Sequence, residues 1–126
     1  MGTKKILVVD DEPNIVRMLE SRLKASGYEV ITASNGLEAL KTARSERPDL
    51  IILDIMLPEM DGYKVCAMLK YDIEHSRIPI IMLTARAHES DRKLGAELGV
   101  QEYIVKPFDG KELMKTIEKH LARSRR

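Results

Sequence analysis

The sequence predicts an α/β fold, a doubly wound five-stranded parallel sheet with five helices on both faces. Three observations lead there. Short apolar runs recur along the chain, stretches of helical periodicity separate them, and three of the runs are apolar without alternation, as strands are when helices cover both sides. The first run is Ile6-Leu7-Val8-Val9. Behind it Ile15, Leu19 and Leu23, widened by Val16 and Met18, form an amphipathic stripe, with Pro13 suited to the first turn of that helix and Gly27 to its end. A weaker strand follows at Tyr28 to Thr32, then Leu50-Ile51-Ile52-Leu53 and Ile78 to Leu83. The segment from His88 to Gly99 is a weak helix former, because Gly95 inside it costs about 1 kcal/mol relative to alanine. Tyr103-Ile104-Val105 is the last strand. The last helix opens with Asp109 and Glu112 at capping-box spacing and presents Leu113, Ile117 and Leu121 at intervals of four. Asn35-Gly36, Arg47-Pro48, Asp61-Gly62 and Lys106-Pro107 punctuate the pattern as turns or helix boundaries.

With 126 residues and 14.3 kDa, the expectation is one domain spanning residues 1–126. Hydrophobic residues at 44% and charged residues at 33% supply both an interior and a soluble exterior, which excludes a disordered chain. The apolar runs are too short to cross a bilayer and no signal-like stretch opens the chain, so a cytoplasmic location without membrane attachment is expected. Cys66 is the single cysteine, which rules out an intrachain disulfide and a cysteine metal cluster; a small packed hydrophobe is its expected role. A net charge of +1 argues against direct nucleic-acid binding by this domain.

Strands alternating with helices over short connections imply right-handed crossovers, and the resulting topology resembles flavodoxin, with strand order 2-1-3-4-5. In such sheets function collects outside the carboxyl ends of the strands. The residues there are Asp10 and Asp11 after the first strand, Asp54 after the third, Thr84 after the fourth and Lys106 after the fifth. Two carboxylates about 5 Å apart repel by roughly 3 kcal/mol at an effective dielectric near 20, so this rim needs compensation. A hard dication such as Mg²⁺, with carboxylate, backbone carbonyl and water ligands, supplies it. Lys106 adds a positive charge suited to a phosphate oxygen, and Thr84 adds a hydroxyl donor. A carboxylate beside such a cation is a nucleophile toward phosphorus, and Asp54, ending the central strand, is the candidate.

These residues carry a family resemblance. Asp10-Asp11, the run from Leu53-Asp54 through Met56-Leu57-Pro58 to Asp61-Gly62, Thr84-Ala85 and Tyr103-Ile104-Val105-Lys106-Pro107 together resemble a response-regulator receiver domain, similar to chemotaxis regulators of two-component signalling. The resemblance spans nearly the whole chain. It implies phosphoryl transfer to Asp54 from a histidine kinase or a phosphotransfer protein, with Mg²⁺ or Mn²⁺ held by Asp11, Asp54, the Met56 carbonyl and, through water, Asp10. It further implies that Thr84 and Tyr103 form a switch pair, that Lys106 pairs with the phosphate and that the Lys106–Pro107 bond is cis. The chain would then be a phosphoacceptor assisting only its own phosphorylation and autodephosphorylation, not an enzyme acting on a separate substrate. Its signal would pass through helix 4, strand 5 and helix 5 to a downstream protein or a covalently linked output domain.

Other functions meet obstacles in the residues. A flavodoxin-like cofactor binder needs a phosphate-cradling loop after the first strand, where this chain has Asp10-Asp11-Glu12. A phosphohydrolase with an aspartyl nucleophile lacks a general acid two residues after Asp54, where Met56 stands. A receiver-like binding module that is never phosphorylated is a closer rival, disfavoured by the complete rim. His75 and His88 have no partner at ligand spacing and are expected to be exposed loop residues. Lys111, Lys115, Lys119 and Arg123, followed by Arg125 and Arg126, form a basic stripe read as a solvated face. Arg86, two residues after Thr84, overlooks the rim. Whether the chain is a stand-alone receiver or part of a longer regulator is open at this point.

Overall fold

In a computed structural model, which describes residues 2–72, 74–85 and 89–123, the expected β-α alternation is present throughout. The elements are β1 (Lys5–Val9), α1 (Pro13–Ala25), β2 (Glu29–Ala33), α2 (Gly36–Glu46), β3 (Leu50–Asp54), α3 (Gly62–Tyr71), β4 (Ile80–Thr84), α4 (Glu89–Glu97), β5 (Glu102–Val105) and α5 (Gly110–Arg123). All four strand pairings are parallel and the order is β2-β1-β3-β4-β5, the doubly wound arrangement expected from the sequence. Arg86, His88, Arg125 and Arg126 lie outside the described residues.

The continuous apolar runs divide by residue parity. Ile6, Val8, Leu50, Ile52, Ile81 and Leu83 point to one side, where Leu19 and Leu23 of α1 and Leu113, Ile117 and Leu121 of α5 cover them. Leu7, Val9, Ile51, Leu53, Ile80 and Met82 point to the other, under Ala39, Leu40 and Ala43 of α2 and Val65, Cys66 and Leu69 of α3. Side chains in a strand alternate between faces, so a run without polar interruption is what two covered faces require. The edges differ. All four residues of β5 are half-buried, and β2 is buried only at Ala33.

Local signals fix the helix ends. Pro13 begins α1, and at its end the Gly27 and Tyr28 amides bond back to the Lys24 and Leu23 carbonyls, with Gly27 at φ +93°. This is the Schellman arrangement, which favours glycine because L side chains crowd in the left-handed region. Asn35 caps α2 by accepting from the Glu38 amide, and the Glu38 carboxylate reaches back to the Ser34 amide at 2.8 Å. Asp61 caps α3 through the Lys64 amide, and Asp109 accepts from the Lys111 amide at the start of α5.

Two expectations need correction. β4 begins at Ile80 rather than Ile78, since Pro79 has no amide for the ladder and the Ile78 amide bonds to the His75 carbonyl in a turn. His75 is not an exposed loop residue: it is 5% exposed, with Nδ1 2.7 Å from Asp72 Oδ2. Nε2 is buried without a hydrogen-bond partner among the described residues, while the carboxylate three residues earlier compensates Nδ1 for the water it loses on burial. That bond and the Asp72 contact with the Glu74 amide hold the Asp72 carboxyl below the usual carboxylate range.

Gly62 sets the start of α3. A Cβ there would lie 2.5 Å from the Asp54 carbonyl oxygen and 2.9 Å from Ile55 Cα, so the helix begins in direct backbone contact with the end of β3. Replacing Gly62 by alanine is expected to lower stability by about 1–3 kcal/mol, the usual cost of forcing an added carbon into packed backbone. Urea unfolding of Gly62→Ala beside the wild type measures it, and an unchanged midpoint would show that the contact relaxes freely.

Candidate metal and phosphoryl site

Parallel strands end together, and the polar residues named from the sequence meet where they do. Asp10 follows β1, where its amide bonds to the Ala33 carbonyl and continues the ladder toward β2. Asp54 closes β3 in register with Leu83, and Thr84 closes β4 in register with Val105. The Lys106 amide donates to the Thr84 carbonyl at 2.6 Å, which sets the root of its side chain on the same rim. Asp10, Asp54 and Thr84 are all at least 95% buried, unusual for two carboxylates.

Lys106 Nζ joins them. It stands 2.9 Å from Asp10 Oδ2, 3.1 Å from Glu12 Oε1 and 3.4 Å from Asp54 Oδ2. Backbone donors share the load, with Asp10 Oδ1 accepting from the Glu12 amide at 2.9 Å and Asp54 Oδ1 from the Met56 amide at 3.3 Å. Asp10 therefore both bonds the backbone at the start of α1 and faces the rim. The Lys106–Pro107 bond is cis.

Glu12 is the residue that the sequence reading passed over. Oxygens of Asp10, Glu12 and Asp54 lie within 4.8 Å of one another, whereas Asp11, read from the resemblance as a metal ligand, is exposed and outside that group. Asp11 instead lines two adjoining cavities. One, of about 360 Å³, includes Asp10, Val16, Arg17 and Glu38; the other, of about 520 Å³, includes Met56, Leu57, Asp61 and Tyr63. A third consecutive acid was the available signal for Glu12, but only the fold reveals that it reaches Lys106. Tyr103 is half-buried on β5, and its hydroxyl lies 3.4 Å from that of Tyr63.

The electrostatics follow from the count. Among the described residues three carboxylates share the Lys106 ammonium, leaving two formal negative charges in excess within this group if all are ionised. Like charges at such separations repel by about 3 kcal/mol at an effective dielectric near 20. Burial, and then the Asp10 charge, push the Asp54 carboxyl above its ordinary value, against the opposing pull of Lys106 and the Met56 amide. Burial alone would lower Lys106, but its bonds and charges from Asp10, Asp54 and Glu12 outweigh that and hold the ammonium above the usual lysine range. Lys106 acts as a stand-in cation, and oxygen donors grouped around it with charge unspent are what a hard divalent ion selects.

Comparison with known proteins shows the family. Residues 6–118 match the response regulator receiver domain family. The chain belongs to that family. This receiver domain is 52% identical over 121 residues to the alkaline phosphatase synthesis transcriptional regulatory protein PhoP of Bacillus subtilis, covering 96% of the chain and 50% of PhoP. The chain thus spans about half the length of the curated relatives it matches. A response regulator structure from Chloroflexus aurantiacus superposes with a TM-score of 0.91 at 38% identity, covering 97% of this chain and all of that one. The receiver domain of the sensor histidine kinase PA1611 from Pseudomonas aeruginosa, at 32% identity and a TM-score of 0.87 over 96% of this chain and 99% of its own, was solved with magnesium coordinated in its active-site cleft. The receiver domain is therefore one of two-component signalling, and its relatives include transcriptional regulators. Among the described residues no helix is long and apolar enough to cross a membrane.

Charge crowding makes a prediction about stability. Because the folded-state value of Asp54 lies above the ordinary one, the native state is favoured below that ordinary value and loses this advantage as pH rises through the elevated one. Asp54→Asn is expected to raise the urea midpoint at pH 7 in magnesium-free buffer, since Lys106 keeps Asp10 and Glu12 as partners. The gain should shrink as pH falls and the wild-type carboxyl takes up its proton. An Asn variant no more stable than wild type at pH 7 would contradict the crowding.

Proposed function

We propose that this receiver domain accepts a phosphoryl group on Asp54 from a histidine kinase or a phosphotransfer protein, and that the modification alters the α4-β5-α5 surface for a downstream partner or a covalently linked output domain. One observation carries the reading: the Lys106 ammonium held among the Asp10, Glu12 and Asp54 carboxylates at the ends of parallel strands. Such a charge pattern is unfavourable for a structural core and suited to binding a dication with a phosphoryl group.

In the proposed step an Asp54 carboxylate oxygen attacks the phosphorus of a phosphoramidate donor. The O–P bond forms as the P–N bond breaks, the electron pair leaves on nitrogen, and the leaving imidazole takes a proton from solvent. Asp54 becomes an acyl phosphate. Its burial removes competing water, and its Met56 amide bond orients one oxygen while the other faces Lys106. Lys106 exchanges carboxylate oxygens for phosphoryl oxygens, and Thr84 donates its hydroxyl to another. Asp10, Asp11, Asp54 and the Met56 carbonyl are the proposed holders of Mg²⁺ or Mn²⁺, with Glu12 joining the carboxylate set. Bound there, the ion offsets charge on the transferred group.

Thr84 and Tyr103 are the proposed switch pair. The whole chain, residues 1–126, acts in this reading as one cytoplasmic receiver unit. The half of its transcription-regulating relatives that this chain does not cover supports an output domain that controls transcription, with nucleic-acid contact left to that domain. The receiver turns over no separate substrate; it assists its own phosphorylation and autodephosphorylation.

Incubation with Mg²⁺ and acetyl phosphate, followed by intact mass measurement, tests the proposal. Wild type is expected to gain one phosphoryl group, and the gain should vanish with EDTA or in Asp54→Asn. Lys106→Ala and Thr84→Ala are each expected to slow the reaction, the lysine change by on the order of a hundredfold. A label that persists in Asp54→Asn, or a wild type that gains none from either acetyl phosphate or a phosphorylated phosphotransfer domain, would overturn it.

A further inference from the structure

We infer that Tyr63 is a positioning residue that couples the Asp54 loop to the Tyr103 ring through their neighbouring hydroxyls. The inference rests on the phosphoacceptor reading of Asp54 and goes beyond it. The two hydroxyl oxygens lie 3.4 Å apart across 40 residues of sequence, and both tyrosines pack against the same core layer.

Each tyrosine is tied to a different functional element. Tyr63 comes directly after Gly62, whose amide donates to the Ile55 carbonyl at 2.9 Å and whose Cα side leaves no room for a Cβ against the Asp54 carbonyl. A shift of the Asp54 backbone is therefore passed to the first turn of α3. Tyr63 also lines the cavity of about 520 Å³ that Asp11 and Met56 share, so it forms part of the wall beside the site. Tyr103 pairs in register with Met82 on β4, and its ring lies against α4, where a Cβ on Gly95 would stand 3.4 Å from Tyr103 Cδ2. Gly95, which weakens α4 as a helix, thus leaves space for the Tyr103 ring.

The consequence is a short mechanical line from the end of β3, through the backbone contact at Gly62, to Tyr63, to Tyr103 and on to α4. Turning the Tyr103 ring separates the hydroxyls, so the position of that ring is felt at the cavity wall beside Asp54. By reciprocity, a change at Asp54 biases the ring. A contact of 3.4 Å is long for a hydrogen bond between hydroxyls, so its role is to bias two arrangements rather than to lock one.

The test uses the full chain labelled with ¹³C-tyrosine, the Tyr103 resonance being assigned with Tyr103→Phe. Without any phosphodonor, Tyr63→Phe is expected to move the Tyr103 ring resonances while leaving the urea midpoint and the Mg²⁺ dissociation constant near wild type. With Mg²⁺ and acetyl phosphate, Tyr63→Phe and Tyr103→Phe are each expected to change the phosphorylation rate by about threefold or more, and the double variant to match a single one, as coupled neighbours do. Unmoved Tyr103 resonances, or rate effects that multiply, would overturn the inference. A wild type that takes up no phosphoryl group would sink the phosphoacceptor reading, and the resonance arm alone would then decide on the coupling.

Discussion

The structure turns on an imbalance of charge at one edge of a parallel sheet. Three carboxylates converge on the Lys106 ammonium because the strands that lead to Asp10, Asp54 and Lys106 all finish at the same level, and two of the acids have almost no water to screen them. A core built for stability alone would avoid this, since removing ions from water costs several kcal/mol each before any pairing is counted. The rest of the molecule supplies the rigidity that holds the groups together. Two apolar layers clamp the sheet from opposite sides, and the α3 entry is pressed onto the Asp54 backbone so closely that only glycine fits.

The same imbalance distinguishes the roles of neighbouring acids. Asp10 and Asp54 are buried and bonded to backbone amides, so their carboxylates have fixed directions. Glu12 and Asp11 are exposed, so both keep contact with water while lying near the rim. In the proposed metal site a cation approaching from solvent would meet the exposed acids before the buried ones. Lys106 occupies the middle of this arrangement, in contact with Asp10, Glu12 and Asp54.

Most of the architecture was legible because it depends on periodicity. Unbroken apolar runs declared two covered faces, Pro13 and Gly27 bracketed α1, and the parallel topology brought Asp10, Asp54, Thr84 and Lys106 to one edge as expected. What escaped depends on side-chain reach, which sequence spacing does not encode. Glu12 looked like one more solvent-facing acid at a helix start, and its link to Lys106 spans 94 positions. His75 looked like a loop residue, and only the folded turn shows Asp72 drawing it under cover. Tyr63 carried no sequence signal at all, because its neighbour Tyr103 arrives from the far end of the chain.

The division of β1 and β3 into two apolar faces also bears on alignment within the sheet. When one face of a strand is wet, sliding the strand by one position exposes its hydrophobic set, and that penalty fixes the pairing. Here both faces are dry, so Ile51 and Ile52 would remain sheltered after such a slide. What forbids it is the acid at the strand's end: drawing Asp54 or Asp10 one step inward would carry a carboxylate into hydrocarbon, away from Lys106 and its amide donors. The acids at the rim thus serve the fold as stops that keep each central strand in its proper frame.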